Sequence, residues 1–313
     1  MNFHEYTKHL TDNDSVPILG FLSWYNVPGS AELDFNFFND TVEKYGAPIR
    51  KMTEPKSHDV FRRACNEAKI LKVAGLDETF RNYTVRNAGH DDGFLFRSVV
   101  EEVVDANDHS LGYREICKII FSRDSGNITF NSMIDDDDIA IPYEEHVKDN
   151  INFYMASHKS LLPSIQVREA ARLALEIGLV GVRVRPAGGI YFVSKSRAEE
   201  IQSLLSVYNE LPDCSLHVLP LVDDLEQRRM LREAFEDESV DETTALIGEI
   251  SALVQSGDKV SAKKFLSFQQ RYVDQVSKME EYSGILEQGL DKSKAILEIC
   301  DMQIMQLLNM SGD

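Results

Sequence analysis

Apolar residues change their spacing several times along this 313-residue chain. Val16 to Val27 (VPILGFLSWYNV) is a continuous apolar run ending in Pro28-Gly29, the pattern of a buried strand entering a turn. From Ser30 to Tyr45, Leu33, Phe37, Phe38, Val42 and Tyr45 recur at helical spacing, and Gly46 supplies a stop. Ser57 reads as the N-cap of a second helix, with Val60, Phe61, Ala64 and Cys65 on one face and Arg62 and Arg63 on another. The period then shortens to that of strands over Asn82 to Arg86, Phe94 to Val104, Ile116 to Arg123 and Ile128 to Phe130. Ala106-Asn107-Asp108 and Asp124-Ser125-Gly126-Asn127 are hairpin-type turns between them.

This order predicts an α+β domain with an antiparallel sheet at 15–133, after a loose N-terminus at 1–14. Asp135 to Asp138, followed by Pro142, reads as an acidic linker at 134–142. A helix follows from Tyr143 to His158. Ser164 then caps another, with Val167, Ala170, Ala171, Leu173, Leu175 and Ile177 on its apolar face and Gly178 at its end. Val182 to Arg185 and Ile190 to Val193 form a hairpin across Pro186-Ala187-Gly188-Gly189, and Ser196 opens a helix to about Glu210. Helix, helix, hairpin, helix is compatible with a winged-helix-like module at 143–215.

From Asp223 onward, within the 216–313 region, the pattern is helical. Tyr272, Val276, Met279, Ser283, Leu286, Leu290, Ser293, Leu297, Cys300, Ile304 and Leu307 alternate at spacings of four and three, a coiled-coil or helical-hairpin seam. Its partner is either the helix around Ala245 to Val254 or a second copy of the chain. The apolar members Tyr272, Val276, Met279, Leu286, Leu290, Leu297, Ile304 and Leu307 are thus the candidate oligomerisation residues, and a homo-oligomer is expected.

Charge sharpens the picture. The chain carries a formal charge of -19, against a general affinity for polyanions. Within it lies a basic island: Arg168, Arg172, Arg183, Arg185, Lys195 and Arg197, opposed by only Glu169 and Glu176. Guanidinium groups offer a planar, permanently charged fork of donors that suits phosphate or carboxylate. With Gly188 and Gly189 at the hairpin turn, these residues are the candidate contact surface for nucleic acid or an acidic protein partner. The bland alternative is that Arg183 and Arg185, opposite core-facing Val182 and Val184, meet water and pair with Glu169, Glu176 or Glu199.

Catalytic signatures are thin. His58-Asp59 falls at a helix start and His90-Asp91-Asp92 in a turn, positions that turn and cap chemistry explain without a metal. The aspartate run lacks the interleaved spacing of a calcium loop. GxxxxGK[ST], GxGxxG after a strand and GxSxG do not occur. The expectation is therefore no cofactor, no metal and no catalytic residue. Cys65, Cys117, Cys214 and Cys300 are too scattered for a disulfide framework and imply reduced, mostly buried thiols in a cytoplasm-like compartment. No stretch approaches a membrane span.

Three segments, Gly20 to Val27 (GFLSWYNV), Asp59 to Ala64 (DVFRRA) and Val180 to Val193 (VGVRVRPAGGIYFV), resemble an uncharacterised family of phage and prokaryotic proteins, a domain of unknown function. The resemblance covers most of the chain. It implies a viral or mobile-element setting and supplies no activity. Three functions are consistent with these features. The first is a phage-type interaction protein working through the basic helix-hairpin. The second is an inhibitor that uses its acidic surface against a host defence system. The third is an unrecognised enzyme acting on nucleotides or nucleic acid.

Overall fold

The protein is described by a computed structural model over residues 17–75, 79–185, 189–257, 260–286 and 290–311. The hairpin-turn residue Gly188 lies outside the described residues. The elements in chain order are β1 (Ile18–Asn26), β2 (Glu32–Asp34), α1 (Phe35–Tyr45), α2 (Ser57–Glu67), β3 (Ile70–Ala74), β4 (Phe80–His90), β5 (Phe94–Val104), β6 (Ser110–Ser122), β7 (Ile128–Ser132) and α3 (Ile141–Ser157). They continue as β8 (Leu161–Pro163), α4 (Ser164–Leu173), a π-turn (Ala174–Gly178), β9 (Val182–Arg183), β10 (Tyr191–Ser194), α5 (Ala198–Glu210), β11 (Ser215–Val222), α6 (Leu225–Ser256), α7 (Ala262–Leu286) and α8 (Asp291–Ser311). The fold is mixed α+β with antiparallel sheets.

The chain divides into two compact units. One comprises residues 34–36 and 52–162; the other comprises the residues up to 33, 37–51 and 163 onward. In the 52–162 unit, β3 to β7 form a five-stranded meander in sequence order. The expected strands are all present; β5 has the expected bounds, β4 and β7 run longer, and β6 begins earlier, at Ser110. Strand β3 was not legible, because Ile70, Lys72 and Ala74 break the alternation and Lys72 takes a positive φ of 57°. The turns are built as the sequence implies. Asp105 accepts from the backbone N–H of Asn107 and His109, and Gly126 sits at φ 71°.

Apolar residues of alternate sheet positions, among them Tyr83, Leu95, Val99, Ile119 and Phe121, face α2 and α3, whose Phe61, Ala64, Val147 and Ile151 complete one core. The helix read as opening a winged-helix-like module therefore belongs to this core. At the end of the same sheet face stands Glu101, 3% exposed, which accepts from the Tyr83 hydroxyl at 2.9 Å and from Arg114 Nε at 2.5 Å. Arg114 grips Asp138 through two further bonds of 2.6 and 2.7 Å, and Asp138 also accepts from Ala140 N. The aspartate run read as a solvated linker thus ends in an anchored residue inside a compact unit.

In the other unit, β11-β1-β10-β9 form an antiparallel sheet with β1 in its interior. The first strand, expected to join the meander, instead pairs with strands some 170 and 200 residues later; Leu22 stands opposite both Phe192 and Leu219. Strand β11 was missed because Pro220 sits within it. The expected hairpin is present, with Phe192 opposite Val182 and Tyr191 opposite Arg183. Leu19, Phe192, Val182 and Leu221 pack against Leu231, Phe235, Tyr282, Leu286 and Leu290 of the C-terminal region, and the Tyr282 hydroxyl donates to the Phe192 carbonyl at 3.1 Å.

The seam read as one last helix spans two, α7 and α8, which join α6 in a bundle. Pairs Glu238–Lys278, Glu242–Gln275 and Glu249–Arg271 run in opposite senses along α6 and α7, so these helices are antiparallel. Glu236–Lys292 and Ser251–Gln303 run in the same sense, so α6 and α8 are parallel. Ser283 faces solvent, and Tyr282 takes the buried position beside it.

Two consequences are measurable. A Cβ on Gly20 would lie 2.2 Å from the Val193 carbonyl oxygen and 2.7 Å from the Phe192 ring, so Gly20→Ala should cost at least about 1–3 kcal/mol of stability; denaturant unfolding at unchanged midpoint would refute the packing. Arg114, with the Ala140 N–H, holds the Asp138 carboxyl down from 3.8 to about 2. A carboxyl depressed in the folded state contributes stability above its unfolded value and loses it as pH falls through the folded one. Asp138→Asn should therefore destabilise the protein at neutral pH and close the gap to wild type between pH 3.8 and about 2, as followed by circular dichroism.

Candidate functional site

The basic island is assembled by α4, the π-turn and the β9–β10 hairpin. A π-turn widens the helix by one residue per turn, and here it carries Glu176. Arg172, four residues earlier, binds Glu176 and also Glu169, the latter at 2.5 Å. Arg183 donates to the same Glu176 carboxylate, and the Tyr191 hydroxyl reaches it at 3.1 Å. Hydrogen bonding to Glu169 and Glu176 pushes the Arg172 and Arg183 guanidinium groups further toward the charged form, and burial beside Glu176 raises the Tyr191 hydroxyl.

Arg168 donates to the Val27 carbonyl at 2.9 Å, and Arg197 meets Glu200 at 3.4 Å and Glu281 at 3.3 Å. Arg185 and Lys195 stand exposed, and Gly189 has open space around it. Of the six cations, four are engaged within the chain.

The backbone N–H of Arg183 leads to a second node. It donates at 3.0 Å to Glu238 of α6, whose other carboxylate oxygen lies 3.2 Å from Lys278 Nζ of α7. The Glu238 and Lys278 side chains are 9% and 7% exposed. Burial raises the Glu238 carboxyl, Lys278 opposes the rise and Glu242 adds to it. Ser239, Thr243 and Ser293 are buried at the same level of the bundle. This polar layer separates two apolar clusters, one around Leu231, Phe235 and Tyr282, the other around Leu246, Ile250, Phe268, Cys300 and Ile304.

A cavity of about 520 Å³ opens beside this layer, between the 176–180 segment and helices α6 and α7. A smaller one of about 130 Å³ lies along α6 next to Arg183.

The candidate oligomerisation residues are engaged within the chain. Met279, Leu286 and Leu290 join the first cluster; Tyr272, Ile304 and Leu307 join the second; Leu297 is buried and Val276 half-buried. The apolar residues that α8 leaves exposed are different ones: Ile299, Met302, Met305 and Leu308. His58 and Asp59 lie at the start of α2, where Asp59 pairs with Arg62, and Asp91 closes its own turn by accepting from Gly93 N and Phe94 N.

Among the described residues, His, Cys, Asp and Glu do not gather in threes suited to a metal ion, and no helix is long and apolar enough to cross a membrane. All four thiols are free and buried; desolvation pushes Cys65 and Cys117 up to about 12. Glu176 pairs with Arg183 as the bland reading of the sequence allowed, and the residues that sequence patterns overlooked are Glu238, Lys278 and Gln275. Their only signal was a charged or amide side chain at positions where a helix turns inward.

Residues 18–312 match the family of unknown function DUF6744. The chain belongs to this family. The uncharacterised family implied by the resemblance is thus the finding, and DUF6744 membership carries no activity with it. No curated protein and no solved structure matches the chain.

Removing Lys278 leaves a buried carboxylate without its counter-ion, a change that costs about 3–5 kcal/mol. Lys278→Met should lower stability by that order at neutral pH. The deficit should shrink as pH falls, because a carboxyl raised in the folded state contributes most below its unfolded value and least once pH has climbed through the folded one. Glu238→Gln in the same background should recover much of the loss. Equal unfolding midpoints for wild type and Lys278→Met would contradict the pairing.

Proposed function

We propose that this DUF6744 protein is a non-catalytic binding protein whose main contact surface is the solvent face of α6, turned toward a basic partner. The observation that carries this reading is an asymmetry of neutralisation. The guanidinium groups of Arg172, Arg183 and Arg197 are matched by carboxylates of the same chain. By contrast Glu233, Asp237 and Asp241 of α6 are exposed at spacings of four and four, which lays them along one side of the helix, and the described residues show no cation within ion-pair distance of them. A stripe of this kind attracts a positively charged surface, fixes its register and weakens with salt. It suits an inhibitor that covers the basic active site of a host defence enzyme, in a phage-like setting and in the cytoplasm of a bacterial host.

A second reading keeps the basic hairpin as the contact. The succession α4, β9–β10 hairpin and α5 supports a winged-helix-like module with the hairpin as its wing, and the exposed Arg185 and Lys195 would meet phosphate. In either reading, copies of the chain assemble in coiled-coil fashion through the exposed Ile299, Met302 and Met305 of α8.

One paired experiment separates the readings. The protein is titrated against labelled double-stranded DNA, single-stranded DNA and RNA, and against basic host-defence nucleases assayed for cleavage, each at low and moderate salt. Salt-sensitive inhibition of a nuclease, lost in Glu233→Lys/Asp237→Lys, is the expected result. Nucleic-acid binding that disappears when Arg185 and Lys195 are neutralised would replace the first reading with the second.

A further inference from the structure

The two cavities beside the bundle have a common wall. The smaller one is lined by Ala234, Asp237, Glu238, Asp241 and Glu242 of α6 together with Arg183 and Val184. The larger one is lined by Glu242, Ala245 and Leu246 of the same helix, by Glu176, Ile177 and Val180, and by Arg271, Asp274, Gln275, Ser277 and Lys278. They share Glu242 and follow α6 from residue 234 to residue 246, about 18 Å at the helical rise. Segment 176–184 forms the opposite wall of both.

The charges lining them do not cancel. Each cation is already matched: Lys278 by Glu238, Arg183 by Glu176, Arg271 by Glu249. Subtracting these pairs leaves four carboxylates for which the described residues show no cationic partner within ion-pair distance. Asp237 and Asp241 line the smaller lobe, Asp274 the larger, and Glu242 stands between them; Glu242 and Asp274 receive only amide N–H groups, from Gln275 and Gln270. The second polar atom of that amide, Gln275 Oε1, is buried and accepts no hydrogen bond. Every unsatisfied group in the walls is thus an acceptor, and every unsatisfied charge is negative.

Between the carboxylates the surface is aliphatic, with Ile177, Val180, Ala245 and Leu246 in one lobe and Val184 and Ala234 in the other. A bare metal ion gains nothing from such walls, and these carboxylates do not gather in threes suited to one. An organic cation with ammonium groups at intervals along a hydrocarbon chain matches both features at once, because its ends are donors only and its stem is apolar.

We propose that the trench between α6 and the 176–184 segment binds an aliphatic polyamine, one ammonium seated at Asp237 and Asp241 and another at Glu242 and Asp274. The site is separate from the outer stripe of α6 in Glu242, Asp274 and the larger lobe, and the test uses those parts.

Spermidine is titrated into the full-length protein by calorimetry and by thermal unfolding, with magnesium chloride and sodium chloride at matched ionic strength as controls. The expected result is one saturable site for spermidine, a rise in melting temperature, and no comparable rise with magnesium. Glu242→Gln/Asp274→Asn should weaken spermidine at least tenfold. Ala245→Trp changes no charge, sits at an exposed helical position and fills the larger lobe; it should weaken spermidine to a similar degree while leaving the binding of basic proteins intact. Spermidine behaving like magnesium, or binding Ala245→Trp as well as wild type, would overturn the proposal and leave only diffuse attraction to an acidic surface.

Discussion

The architecture of the unit containing residues 163–311 turns on one buried carboxylate. Glu238 lies on α6, holds Lys278 of α7 and receives the backbone N–H of Arg183 on the edge strand β9. Three elements distant in sequence therefore share a single acceptor group. An ion pair taken out of water stabilises little by itself, because desolvation offsets most of the attraction. Its effect is to make other arrangements costly: sliding α7 by one turn, or lifting the hairpin from α6, would leave a buried charge or a buried amide without a partner. Apolar packing above and below this layer supplies the cohesion, and the polar layer selects the register.

Glu176 acts comparably on the other side of the hairpin. It gathers Arg172, Arg183 and the Tyr191 hydroxyl, so the two nodes meet through Arg183, whose side chain serves one and whose backbone serves the other. The basic island is in this light a brace. Arg172 and Arg183 are neutralised by Glu169 and Glu176 of the island itself, and Arg197 by Glu281, which a local count does not see.

Much of the local structure was readable from the residues. Gly46, Gly178 and the Asp105 and Gly126 turns end elements where steric and hydrogen-bonding rules place them, and the period-two stretches became β4 to β7. What was not readable is the long-range assembly. Nothing near Gly20 announces that its partners are Ser194 and Leu221, because strand pairing depends on surfaces that local pattern does not encode. The heptad from Tyr272 to Leu307 was correct in its apolar positions and silent about where the helix ends. The acidic run at Asp135 to Asp138 misled for a related reason, since one member found Arg114 across a hairpin. As for the candidate site, its cations and the nearby partners Glu169 and Glu176 were legible, while Glu281, brought to Arg197 from α7, was not.

The interior placement of β1 has a temporal consequence. The strand leaves the ribosome before the meander does, yet both its neighbours lie beyond residue 190. The 52–162 meander has only sequential neighbours and is complete long before then, so it can fold while translation continues. For that interval the nascent chain carries an apolar nine-residue strand, Ile18–Asn26, with two open edges. A long-lived adhesive segment makes the rate of elongation between residues 26 and 222, and the company the ribosome keeps meanwhile, a determinant of how much protein reaches the native state.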